Sequence, residues 1–143
     1  MESFAVAAVP APGSFLQRYV RIDTLPRLCA SIERVLWRRG ERGEIWCVWG
    51  QFRVHREALP DGVRFTLPNC TNALQWTVTA AHDGGARRVL VHCSVNQQRP
   101  EPDFGASIEQ FVQDWRQGLE RELEHLRAEG APRPGAKSMP WFG

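Results

Sequence analysis

Apolar residues recur with a period of two through four successive segments in the middle of the chain. Phe52 and Val54 alternate with Gln51, Arg53 and His55, and Val63, Phe65 and Leu67 with Arg64 and Thr66. Leu74, Trp76 and Val78 then alternate with Gln75, Thr77 and Thr79, and Val89, Val91, Cys93 and Val95 with Leu90, His92 and Ser94. Pro60-Asp61-Gly62 and Asp83-Gly84-Gly85 supply turn residues between them. Side chains on a strand point alternately to opposite faces, so this pattern predicts an antiparallel sheet with one covered face. Ile45-Trp46-Cys47-Val48-Trp49 is continuously apolar, which predicts a strand covered on both faces. Gly50 after it predicts a bulge or sharp bend.

After the meander the period changes. Ile108, Phe111, Val112, Trp115, Leu119, Leu123 and Leu126 fall at helical spacing and form one apolar stripe. Ser107 with Gln110 reads as a capping box, and Gly130 with Pro132 and Pro134 ends the segment. Some twenty residues at 1.5 Å each give roughly 30 Å, enough to cross a small sheet and cover it. Towards the N-terminus, Leu16, Val20 and Ile22 suggest a first strand over residues 15–23. Thr24 then reads as an N-cap, with Pro26 in the first turn of a helix carrying Leu25, Leu28, Cys29, Ile32, Val35 and Leu36 up to Gly40. Residues 1–13 are small and proline-punctuated and read as a flexible arm. Residues 14–130 read as one α+β domain and residues 131–143 as a disordered Pro/Gly-rich tail. Trp141 and Phe142 in that tail are candidate contacts for a protein partner.

The 143 residues are enough for one domain with its own core. Net charge is +2, and the eighteen basic residues are scattered among sixteen acids without a single-sign tract, which excludes an obvious nucleic-acid footprint. Cys29, Cys47, Cys70 and Cys93 lack metal-ligand or redox spacing, so no metal and no cofactor is expected. No stretch approaches membrane-spanning length and no signal segment is recognisable, which makes a cytoplasmic protein without membrane contact the default.

The order strand, helix, antiparallel meander, long C-terminal helix resembles the START-like helix-grip superfamily, which includes polyketide cyclases and birch-pollen-allergen-like proteins. Val20-Arg21-Ile22-Asp23 looks like the run from first strand to first helix. Trp49-Gly50-Gln51-Phe52-Arg53-Val54 is similar to a glycine-aromatic bend early in the meander, and Pro68 through Leu74-Gln75-Trp76 to a proline–leucine–aromatic strand. Members usually have two short helices and six strands after the first strand; one patterned helix and five strands are visible here. The resemblance implies a curved antiparallel sheet wrapped around the long helix, with a cavity between them.

Inward positions would wall that cavity: Phe52, Val54, Phe65, Leu67, Leu74, Trp76, Val91, Cys93, Phe111, Trp115 and Leu119. The wall is apolar, so a small apolar or aromatic ligand is implied. The same residues suit a filled core, and a non-catalytic protein-interaction domain is the alternative. His55 and His92 fall on the face opposite the apolar one, His125 and Glu122 lie beside the helix stripe, and His82 sits in a turn. Asp23 and Arg53 suit capping or surface roles. No nucleophile–base pair, carboxylate pair or phosphate loop is present, so no catalytic residue is assigned, although one acid or base would suffice for cyclase- or dehydratase-like chemistry.

Overall fold

The computed structural model describes residues 1–130. The expected tail, with Trp141 and Phe142, lies outside the described residues. Strands β1 (Glu2–Ala7), β2 (Ile32–Arg39), β3 (Arg42–Cys47), β4 (Gly50–Leu59), β5 (Gly62–Thr66), β6 (Gln75–Asp83) and β7 (Ala86–Ser94) form one curved antiparallel sheet. Their order is β1-β7-β6-β5-β4-β3-β2, so the first two strands in sequence lie at opposite edges. Helices α1 (Gly13–Tyr19) and α2 (Leu25–Leu28) join them, and α3 (Pro102–Gly130) follows the last strand.

The four alternating segments are inward on the expected residues: Val54, Val63, Phe65, Trp76, Val78, Val89, Val91 and Cys93 are buried. The ladder sets Phe65 opposite Trp76 and Trp76 opposite Cys93, so three neighbouring strands present one apolar face. Helix α3 lays Ile108, Phe111, Val112, Trp115, Leu119 and Leu123 on that face, each at most 1% exposed. At 29 residues it is longer than expected and spans about 44 Å.

Several expectations are corrected. Residues 1–13 are no loose arm. Glu2–Ala7 pairs antiparallel with β7, from Glu2 opposite Ser94 to Ala7 opposite Val89, and Ala5, Ala7, Val9 and Ala11 are buried. Small side chains suit this edge because α3 packs directly on β1. The expected strand over 15–23 is α1. Leu16 and Val20, four residues apart, fit either period; Leu16 meets the core from the helix and Val20 from the residue that caps its C-terminus, and both are fully buried. Thr24 makes no cap bond to α2. Its hydroxyl accepts from the Arg21 N–H at 3.0 Å, in the preceding 3-10 turn (Ile22–Thr24).

The expected helix over 25–36 stops at Leu28, and Ile32–Arg39 is a strand. Register shifts between Ile32 and Arg34 and between Val35 and Trp37 interrupt its pairing with β3. A bulge lets residues three apart face the same side. Buried Ile32 and half-buried Val35 thereby mimic a helical period inside a strand.

Ser107 is not the cap of α3. The helix starts at Pro102, and the Gly105 N–H already bonds the Glu101 carbonyl at 2.8 Å. Proline without an N–H is well placed in a first turn. The run 45–49 is covered on one face only: Ile45 and Cys47 are inward, whereas Trp46 and Val48 are exposed. Gly50, at φ +116°, does mark a sharp bend, entering β4 straight after the Val48–Trp49 turn.

With α1 and α2 identified, the count becomes two short helices and six strands after the first, so neither departure from the helix-grip pattern remains. Helix α1 covers β5 and β6 while α3 covers β1 and β7. Arg56, on the inner face of β4 opposite Phe65, ties α1 to the sheet. Its side chain is 8% exposed and donates from Nε to the Val20 carbonyl at 2.8 Å, from Nη2 to the Gln17 carbonyl, and from Nη1 to Glu41.

Candidate functional site

The eleven residues expected to wall the cavity come together on one side of the sheet. Val54, Phe65, Val91, Cys93, Phe111, Trp115 and Leu119 are 0% exposed and Trp76 is 1% exposed; Phe52 is half-buried and packs against the same core. Leu67 and Leu74 are buried with them. Four rings occupy the centre. Phe65 stacks on Trp76 at 5.2 Å between centroids, Trp76 meets Phe111 edge-on at 5.0 Å, and Trp115 lies 6.3 Å from both Trp76 and Phe65. Offset and edge-to-face arrangements at these separations are the favourable ones for aromatic pairs.

The ring chain reaches the surface. Trp49, in the β3–β4 turn and half-buried, packs on Phe111 at 5.0 Å and on Phe104 at 6.1 Å. Its indole N–H donates to the Ser107 hydroxyl at 2.8 Å, which in turn donates to the Phe104 carbonyl at 2.6 Å. Ser107 therefore latches the hairpin tip to α3 instead of capping the helix. Beside the latch opens a groove of about 750 Å³ lined by Ala30, Ser31, Glu33, residues 46–50, Gln110 and Asp114. Asp114 accepts from the Ser31 hydroxyl on one carboxylate oxygen and from the Gln110 amide at 2.8 Å on the other. The sequence held no signal for this pairing, because Ser31 and Asp114 are 83 residues apart and meet only in the fold.

Electrostatically the interior is nearly silent. The fully buried described residues include no polar or charged side chain apart from the thiols and indoles. Burial holds the thiols protonated: Cys93 is pushed up to about 12, and Cys29 and Cys47 are raised as well, so none is a nucleophile near neutrality. The histidines stay outside the ring cluster. His92 stacks on Phe4 at 4.5 Å and bonds Glu2 at 2.8 Å on the outer face, His55 is half-buried, and His82 and His125 are exposed. Asp23 pairs with Arg21 at 3.0 Å, and that hydrogen bond lowers its pKa. Arg53 is exposed. Among the described residues no group of three potential ligands is placed to hold a metal, and no helix is long and apolar enough to cross a membrane.

No family model matches the chain, and no curated protein matches it. Solved structures do. The chain is similar to a START superfamily protein from Mycobacterium smegmatis, with a TM-score of 0.62 at 14% identity over 88% of this chain and 97% of that one. It is similar to Ara h 8.0201, with a TM-score of 0.57 at 15% identity over 87% of this chain and 97% of that one. It also resembles one part of the di-domain ARO/CYC StfQ from the steffimycin biosynthetic pathway, with a TM-score of 0.57 at 16% identity over 87% of this chain and 46% of the di-domain chain. Identity this low carries the fold and not the chemistry. The chain has the START-like helix-grip fold.

Proposed function

We propose that the chain binds a small, largely apolar or aromatic molecule between its sheet and α3, admitted past Trp49. One observation carries this reading: the surface groove has Trp49 in its wall, and Trp49 packs on Phe111, the outermost of the interior rings. An apolar molecule in the groove would meet the Phe111 ring once Trp49 is released from Ser107 and Phe104. The rings touch one another, so entry rearranges them, and Gly50 beside Trp49 gives the turn the backbone freedom to move. The fold shared with a START superfamily protein and with an ARO/CYC protein supports binding of apolar molecules as a general use of this architecture.

Turnover of a cyclase or dehydratase kind would require an acid or base in contact with the ligand. Glu33 and Asp114 are the carboxylates that line the entry groove, and loss of conversion without loss of binding in Asp114→Asn would place Asp114 in that role.

Thermal denaturation against a panel of two- and three-ring aromatic compounds tests the binding reading. A ligand at a hundred times its Kd stabilises by about 2.7 kcal/mol, a rise in Tm of roughly 8–10 °C for a domain this size. A Tm unmoved by every member of the panel refutes it.

Exposed Trp46, Val48, Phe4, Val6 and Trp37 favour a second reading, an interaction domain whose ring cluster is only its core. Light scattering after size exclusion, with and without residues 131–143, separates the two. Association lost on removing that segment supports the second reading, and a strict monomer in both forms opposes it.

A further inference from the structure

We propose that Trp76 and Trp115 recognise a hydrogen-bond-accepting oxygen on the bound molecule, which makes the preferred ligand an apolar body carrying a carbonyl or ether oxygen and no cation. This inference rests on the binding reading above and names what the same interior selects.

The indole Nε1 atoms of both residues are buried without a hydrogen-bond partner. The two rings are neighbours, 6.3 Å apart and inclined at 50°, one carried by β6 and the other by α3. Buried donors are nearly always paired, because a desolvated, unanswered N–H costs about 1–3 kcal/mol. A well-packed core favours tryptophan where its N–H finds an acceptor. Trp49 obeys that rule through Ser107. Two adjacent exceptions therefore call for an acceptor that the chain itself does not provide.

The remaining groups set the ligand's other properties. Arg56, the cation of β4 on the inner face, directs its donors to Val20, Gln17 and Glu41. Cys93, opposite Trp76 in the ladder, is buried as a neutral thiol, a weak donor. No buried carboxylate is available to a ligand cation. Donors on a ligand would go unanswered there, whereas an oxygen beside either ring would be met by an unpartnered indole N–H.

Fluorenone and fluorene test this, since they share size and shape and differ by a carbonyl against a methylene. Fluorenone should bind at least tenfold more tightly, the effect of one well-made hydrogen bond to a buried donor. That ratio should fall towards one in Trp76→Phe and in Trp115→Phe. In wild-type protein labelled at the indole nitrogens, two of the six tryptophan Nε1–H signals should move downfield with fluorenone and not with fluorene. The spectrum decides the matter even where a variant fails to fold. Equal affinities with no indole shift overturn the proposal and leave the binding reading standing. No binding of either compound overturns both.

Discussion

Gly118 is the tightest point between α2 and α3, and replacing it with alanine separates two opposed effects. A Cβ built there would lie 1.9 Å from the Leu28 carbonyl oxygen and 2.5 Å from its carbon, where real Cβ atoms keep about 3.0 Å or more. The obstacle is backbone at the end of α2, so no side-chain rotation relieves it, and the helices must part by about 1.1 Å. Overpacking of this kind costs about 1–3 kcal/mol, and a backbone clash belongs at the upper end. Alanine also favours the helix over glycine by about 1 kcal/mol. The expected net loss is about 2 kcal/mol, a fall in Tm of roughly 6–8 °C and in urea midpoint of about 1 M. Gly105 in the same helix is the control. A Cβ there meets Pro100 Cγ at 3.5 Å and Met1 Sδ at 3.8 Å, ordinary contacts, so Gly105→Ala should be neutral or stabilising by up to about 1 kcal/mol. If Gly118→Ala is as stable as wild type while Gly105→Ala is not stabilised, the α2–α3 crossing is not where it has been placed here.

Three further outcomes follow from the packing. Arg56→Met should cost about 2–3 kcal/mol in urea unfolding, because it strands the Val20 and Gln17 carbonyls, the exposed Glu41 carboxylate being left to water; Arg56→Lys should recover only part of the loss, since it lacks the fork. Without ligand, Trp76→Phe should be close to neutral, as relief of an unpaired N–H offsets a void costing about 1 kcal/mol. Trp49→Phe, which breaks a made bond to Ser107, should be clearly destabilising in the same assay, and the reverse order would contradict the hydrogen-bond assignments. The buried thiols have folded pKa values above their unfolded ones, so their contribution is complete below about pH 8.5 and is lost as pH rises towards 12. The urea midpoint should fall between pH 8.5 and 10.5, less steeply in Cys93→Ala, and a thiol reagent on native protein at pH 7.5 should modify Cys70 well before the other three.

Where one period governed a segment, the sequence was readable. Strands β4 to β7 and the stripe on α3 each obey a single spacing, and their inward residues are the ones expected. The misreadings fall where two periods coincide on the same residues. Leu16 and Val20 are four apart, a spacing common to helix and strand, and only the pairing of the rest of the sheet leaves α1 as a helix. Ile32 and Val35 face inward together because a bulge intervenes, and their separation of three then imitates a helix. Strand β1 was missed for a different reason. Its inward residues are alanines, which carry little hydrophobic signal, and their smallness is what the close approach of α3 requires.

The site divides along the same line. That Phe65, Trp76, Phe111 and Trp115 face one another follows from alternation and helical spacing, because both are properties of apolar pattern. The polar features do not follow, since they depend on which long-range partner each group meets. Ser107 carried a local cap signature that a proline five residues earlier pre-empted, leaving its hydroxyl to hold Trp49 across 58 residues of chain. Trp49 and Trp76 are the same residue type in contact with the same Phe111, yet one has an acceptor and the other has none. A sequence shows three tryptophans there. The fold shows one that is latched and two whose N–H groups have no partner, and the proposed ligand oxygen is what would separate the roles of the two kinds.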